Sequence, residues 1–145
     1  MSIHQAEILD RWKRGNFLEV GVAIPGFKYD LPWVPYENYM QVQLVEAIPG
    51  QPGKLIIQFP KDGAEDEQFH IHPVSDRVIT VLQGSGQFVA IRNFTKVVYE
   101  LEAGCRLCMP RGVVRNFFGN LLVESLHLPF IAFESPFCFV RVLVD

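Results

Sequence analysis

His70 and His72 stand one residue apart in the run FHIHPVSDRVITVLQGSGQF. On an extended strand that spacing turns both imidazoles to the same face. Two neutral imidazoles side by side can hold a metal ion, and near neutral pH each can also give or take a proton. Further along, His127 lies in LLVESLHL, where alternation groups it with Val123 and Ser125. If that face points inward, His127 completes a three-imidazole site; otherwise it is a hydrogen-bonded core residue.

The remaining reactive side chains point to less. Cys105 and Cys108 form a C-x-x-C, but in the short strand CRLCMP they fall on opposite faces. That separates them by roughly 10 Å, beyond the ~7 Å reach of a disulfide. With Cys138 the cysteines number three, which argues against a disulfide framework and for small buried thiols. No nucleophile elbow, phosphate loop or dinucleotide fingerprint is present.

The elements that must position these residues are mostly strands. A helix is expected from Ile3 to Arg14, capped by Ser2, with Ile8 and Trp12 four apart and Gly15 as its stop. The aromatic connector FKYDLPWVPYENYM follows, and Pro32 and Pro35 exclude a helix there. Trp33, Tyr36 and Tyr39 in it would suit a subunit interface or simply cover the core. From Met40 onward come QVQLVEAI, KLIIQF, QFHIH, RVITVL, QFVAIR, KVVYEL, RLCM, LLVESLHL and FCFVRVLV, divided by turn clusters such as PKDGAED, GSG, EAG and PRG. Many short strands with Gly and Pro turns predict an all-β barrel or sandwich. The organisation read from this is an N-terminal helix and connector over residues 1–38 and a barrel over 39–145.

The motif spacing is similar to that of single-domain cupins, small double-stranded β-helix barrels of the jelly-roll kind. The first cupin motif places a glycine before His-x-His, then a glutamate, then a closing glycine. Here His70, His72 and Gly84 match, Arg77 stands at the glutamate position, and Ala64 preceded by Gly63 stands at the opening glycine. The second motif is matched at Gly104, Pro110 and Gly112, with Arg115 where the family has histidine and Gly119 where it has asparagine. The resemblance implies a barrel interior lined by these positions, and it implies a homodimer. In metal-binding cupins three histidines and a glutamate hold a divalent transition metal. Two arginines in that set offer no lone pair and make the pocket about three charge units more positive.

The expected function is therefore a cupin-type protein that binds a small anionic molecule in the barrel through His70, His72, Arg77, Arg115 and His127, without the full cupin metal-ligand set; the cofactor is left open between none and a divalent transition metal. One alternative is a metal-dependent dioxygenase or isomerase whose ion sits on His70 and His72, joined by His127, Asp76 or Glu124. Another is a non-catalytic dimeric interaction module. Pairing of Arg77 and Arg115 with Asp76, Glu100 or Glu124 would instead plug the barrel. Net charge is −3 over 145 residues, so neither nucleic acid nor an anionic membrane is an expected partner. The N-terminal residues carry no apolar signal core, and a cytoplasmic location is expected.

Overall fold

Strands dominate because the chain is written in short β-branched and aromatic runs cut by Gly and Pro. The computed structural model describes residues 5–36, 40–60 and 69–144. The expected Ser2 cap, the helix start at Ile3, Tyr39 and the Gly63–Ala64 pair lie outside the described residues. Helix α1 (Gln5–Arg14) has Glu7 in its first turn and Arg11, Lys13 and Arg14 in its last, the charge order that a helix dipole favours. Gly15 ends it at φ 82°, the left-handed conformation common after a helix. Ile8 anchors the helix against Val78 and Cys108.

The strands are β1 (Leu18–Glu19), β2 (Val34–Pro35), β3 (Gln41–Glu46), β4 (Gly53–Gln58), β5 (His70–Ile71), β6 (Asp76–Arg92), β7 (Thr95–Glu102), β8 (Arg106–Met109), β9 (Arg115–Leu128) and β10 (Val140–Arg141). Every pairing is antiparallel. One sheet runs β1-β8-β6-β9-β4-β3-β2 and uses the first half of β6 and the second half of β9. The other halves of the same two strands carry β7 on one side and β5 with β10 on the other. Two long strands thus belong to both sheets, which is how one chain closes a jelly-roll barrel.

Between the sheets lies one apolar cluster that includes Val42, Leu55, Ile57, Val81, Phe88, Leu107, Leu121 and Val123. Most of these residues sit at alternate positions of their strands, the period a sheet face requires, and the register shift after Val81 brings Phe88 to the same interior. Phe17, ahead of β1, adds its ring to this core 5.1 Å from Tyr99. Cys105 belongs to this cluster and Cys108 to the separate one under α1, so the two thiols face apart as expected.

Two strand expectations are corrected. Gly84-Ser85-Gly86 does not turn the chain: β6 runs on through it for 17 residues, opposite β9 throughout. The glycines serve a close crossing instead. A Cβ on Gly84, whose φ is 89°, would stand 1.9 Å from the carbonyl oxygen of Asn120. The register also shifts between Val81 and Gln83, so the strand pair bends here. FCFVRVLV, expected as a strand, contributes only β10. A turn at Ser135–Cys138 precedes it, and its partner β5 is two residues long. Among the described residues no helix is long and apolar enough to cross a membrane.

Candidate functional site

Antiparallel register decides which side chains meet inside the barrel. Arg77 lies opposite His127, Ile79 opposite Ser125, and Ala90 opposite Arg115. His70, on β5, pairs with Arg115 from the other side of β9. The two arginines are deeply buried, Arg77 3% and Arg115 1% exposed, and His70 is half-buried. The two guanidiniums therefore point into the barrel from the two sheets, Arg77 on the first half of β6 and Arg115 at the start of β9.

Arg77 spends its donors on neutral groups. Its NH1 donates to His127 Nε2 at 3.0 Å, and its Nε donates to Ser75 Oγ at 3.3 Å. Its NH2 lies 3.0 Å from His72 Nδ1. The same Nδ1 lies 2.7 Å from the carbonyl oxygen of Cys138. A carbonyl can only accept and a guanidinium can only donate, so one imidazole nitrogen serves one of them at a time. The shorter contact assigns the Nδ1 proton to the Cys138 carbonyl. Nε2 of His72 is then the lone-pair nitrogen, and one N–H of Arg77 faces another donor.

Burial pushes His72 and His127 well below the ordinary histidine range, and the fields of Arg77 and then Arg115 push the same way. Both rings are neutral at pH 7. His127 accepts from Arg77 through Nε2 and stacks on Phe130 at 6.0 Å, so it lies behind the arginine as its support. His70 and His72 meet edge to face with ring centroids 5.0 Å apart, the shared facing expected of His-x-His.

The carboxylates offered as plugs or ligands go elsewhere. Asp76 alternates to the opposite face of β6 from Arg77. It accepts from the backbone N–H of Arg111 at 2.8 Å and from its guanidinium at 3.0 Å. Glu124 alternates away from Ser125, and Glu100 accepts from Gln87 at 2.9 Å on the outer side of β7. Among the described residues no carboxylate pairs with Arg77. The Arg111 partnership was invisible in the sequence, since it joins positions 35 residues apart across a strand crossing.

A cavity of about 500 Å³, counted with the space at its open mouth, is lined at its polar end by His70, His72, Arg77, Arg115, Asn116 and Ser125. Its apolar wall is formed by Tyr36, Met40, Ile57, Phe59, Ile79 and Phe117, and its described lining contains no Asp or Glu. His127, expected among the ligand-binding residues, is not part of the lining. Ser125 takes a place there that sequence reasoning missed, and its hydroxyl has no hydrogen-bond partner among the described residues. Tyr36 comes from the connector, and its ring lies 4.5 Å from Phe133.

The residues do not fit the metal that the resemblance implied. Among the described residues no three His, Cys, Asp or Glu side chains converge as a ligand set. The alternative trio His70, His72 and His127 does not assemble, because Arg77 takes the Nε2 lone pair of His127. Arg77 and Arg115 also bring positive charge to the place a dication would need.

No family model matches the chain, and no curated protein sequence does. Solved structures do match. Streptomyces Pac13, described as a nucleoside dehydratase, superposes with a TM-score of 0.62 at 12% identity, over 81% of this chain and 92% of that one. A variant of it was solved with uridine. A protein from Planctomyces limnophilus gives 0.61 at 14% identity over 81% and 96%. KdgF from Halomonas gives 0.56 at 19% over 72% and 94%. Identities this low speak for the fold and nothing finer, and there they agree with the motif glycines Gly84, Gly104 and Gly112, all at positive φ: the chain has the cupin-type jelly-roll fold.

Proposed function

We propose that the barrel binds a small anionic molecule between Arg77 and Arg115, without a metal ion. The observation that carries this reading is a cavity with two buried guanidiniums and no carboxylate in its described lining. A desolvated guanidinium held by neutral partners, as Arg77 is, is costly, and an anion entering the cavity offsets that cost. The Arg77 N–H that competes for His72 Nδ1 is a ready donor for such an anion. His72, neutral and with its lone pair on Nε2, supplies an acceptor or a weak general base beside it. The apolar wall suits an occupant with an unpolar body behind its charged end. Such a protein works as a sensor or carrier, or as an enzyme that moves a proton without a metal.

Thermal unfolding with inorganic phosphate, acetate and malonate, against chloride at equal ionic strength, tests the proposal. Binding stabilises by mass action, about 1.4 kcal/mol when the anion stands tenfold above its Kd. At least one anion should raise Tm, and Arg115→Gln and Arg77→Gln should each remove the rise. No shift with any of these anions, or a shift that survives both substitutions, refutes the reading.

A further inference from the structure

β7 closes the second sheet. It pairs with β6 from Arg92↔Thr95 to Ser85↔Glu102 and, among the described residues, with no other strand. The connecting loop is two residues, Asn93 and Phe94, both at positive φ, which is the type I′ hairpin. The pair that flanks such a loop is of the hydrogen-bonded kind. Thr95, Val97, Tyr99 and Leu101 therefore turn their backbone groups toward β6, while Lys96, Val98, Glu100 and Glu102 turn theirs outward. The side chains of this second set also share the exposed face of the strand, and Val98 is 54% exposed there. An eight-residue edge with no proline in it is a template for another strand.

We propose that this edge pairs with the same edge of a second copy of the chain, antiparallel about a two-fold axis at Val98. The sequence of the edge is self-complementary in that register. Val98 faces Val98 of the second copy, and Lys96 faces Glu100 twice. An axis one residue earlier sets Val98 against Lys96; one residue later, Lys96 meets Glu102 but Val98 is set against Glu100. An axis at Glu100 sets that carboxylate against itself, and one at Lys96 does the same to the ammonium. Directly opposed unlike charges stabilise a strand pair and like charges oppose it, so the Val98 axis, with two unlike pairs, no like pair and no charge against Val98, is the favoured register. Phe94, wholly exposed at the hairpin tip, then lies at the Glu102 end of the second copy's strand. Gln87 already holds Glu100 from the neighbouring strand. The Lys96 ammonium lies 5.0 Å over the buried Phe69 ring, a contact it gives up on meeting Glu100 of the second copy.

Sedimentation velocity on the full chain tests this. The wild type sediments as a dimer, and Lys96→Glu and Glu100→Lys each weaken the dimer about tenfold or more. Mixing the two variants restores it, since one chain then brings two carboxylates to the pairing edge and the other two ammonium groups. The double variant Lys96→Glu/Glu100→Lys restores it as well. Val98→Pro removes only an outward N–H, so it keeps the hairpin by circular dichroism and loses the dimer. A wild type that stays monomeric at its highest soluble concentration overturns the proposal. So does a dimer indifferent to both charge reversals, or one that mixing fails to restore.

Discussion

Lowering the pH should destabilise this protein through two buried histidines, and the size of the effect follows from the unfolded chain. His72 and His127 are held well below 6.5 in the fold, first by burial and then by Arg77 and Arg115. In the unfolded chain both return to about 6.5. As pH falls below that value the unfolded state takes up protons that the folded state refuses, so stability is lost. For one histidine that stays neutral in the fold, the loss between about pH 7.5 and 5.5 is about 1.4 kcal/mol; for two it is about 2.7 kcal/mol. In a chain of this size that corresponds to roughly 10 °C in Tm. The assay is urea unfolding of the wild type, His72→Gln and His127→Gln at both pH values. Glutamine can donate to the Cys138 carbonyl at position 72 and accept from Arg77 at position 127, but it does not titrate. Each single variant should lose about half of the pH effect, and the double variant should keep only what the carboxylates contribute. A double variant with the full wild-type difference refutes the reasoning.

Other substitutions probe the scaffold. Asp76→Asn removes the charge that Arg111 holds through its backbone and its guanidinium. Because that arginine is partly exposed, a loss of about 2 kcal/mol is expected in chemical denaturation. Gly84→Ala should cost about 3 kcal/mol or more, since its Cβ would overlap the Asn120 carbonyl. Gly50→Ala, also at positive φ but in open space, should cost only about 1 kcal/mol. Cys105, Cys108 and Cys138 are all buried, so a thiol reagent should label none quickly in the native protein and all three in urea.

Much of the architecture was legible in the sequence because turns carry local signals. Gly15, Gly104 and Gly112 all sit at positive φ, where the glycine of a helix stop or a motif turn was expected to serve the backbone. The shared facing of His70 and His72 was legible too, because alternation along a strand fixes it, whereas the inward facing of Arg77 and Arg115 depends on a strand register that the sequence does not state. What the sequence concealed is long-range. Nothing local says that Asp76 leaves Arg77 for Arg111, or that His127 supports an arginine rather than lining the cavity. The GSG misreading has the same origin. A glycine pair looks alike in a hairpin and at a crossing, and only the strand lying across it tells the two apart.

The doubled membership of β6 and β9 has a consequence for motion. Arg77 belongs to one sheet and Arg115 to the other, and the two sheets are joined through the bend near Gly84 and Gly119. An anion gripped by both arginines acts as a clasp across that bend. Occupancy of the cavity would then be felt by the amides on both sides of the crossing, which should slow their hydrogen exchange together rather than one sheet at a time.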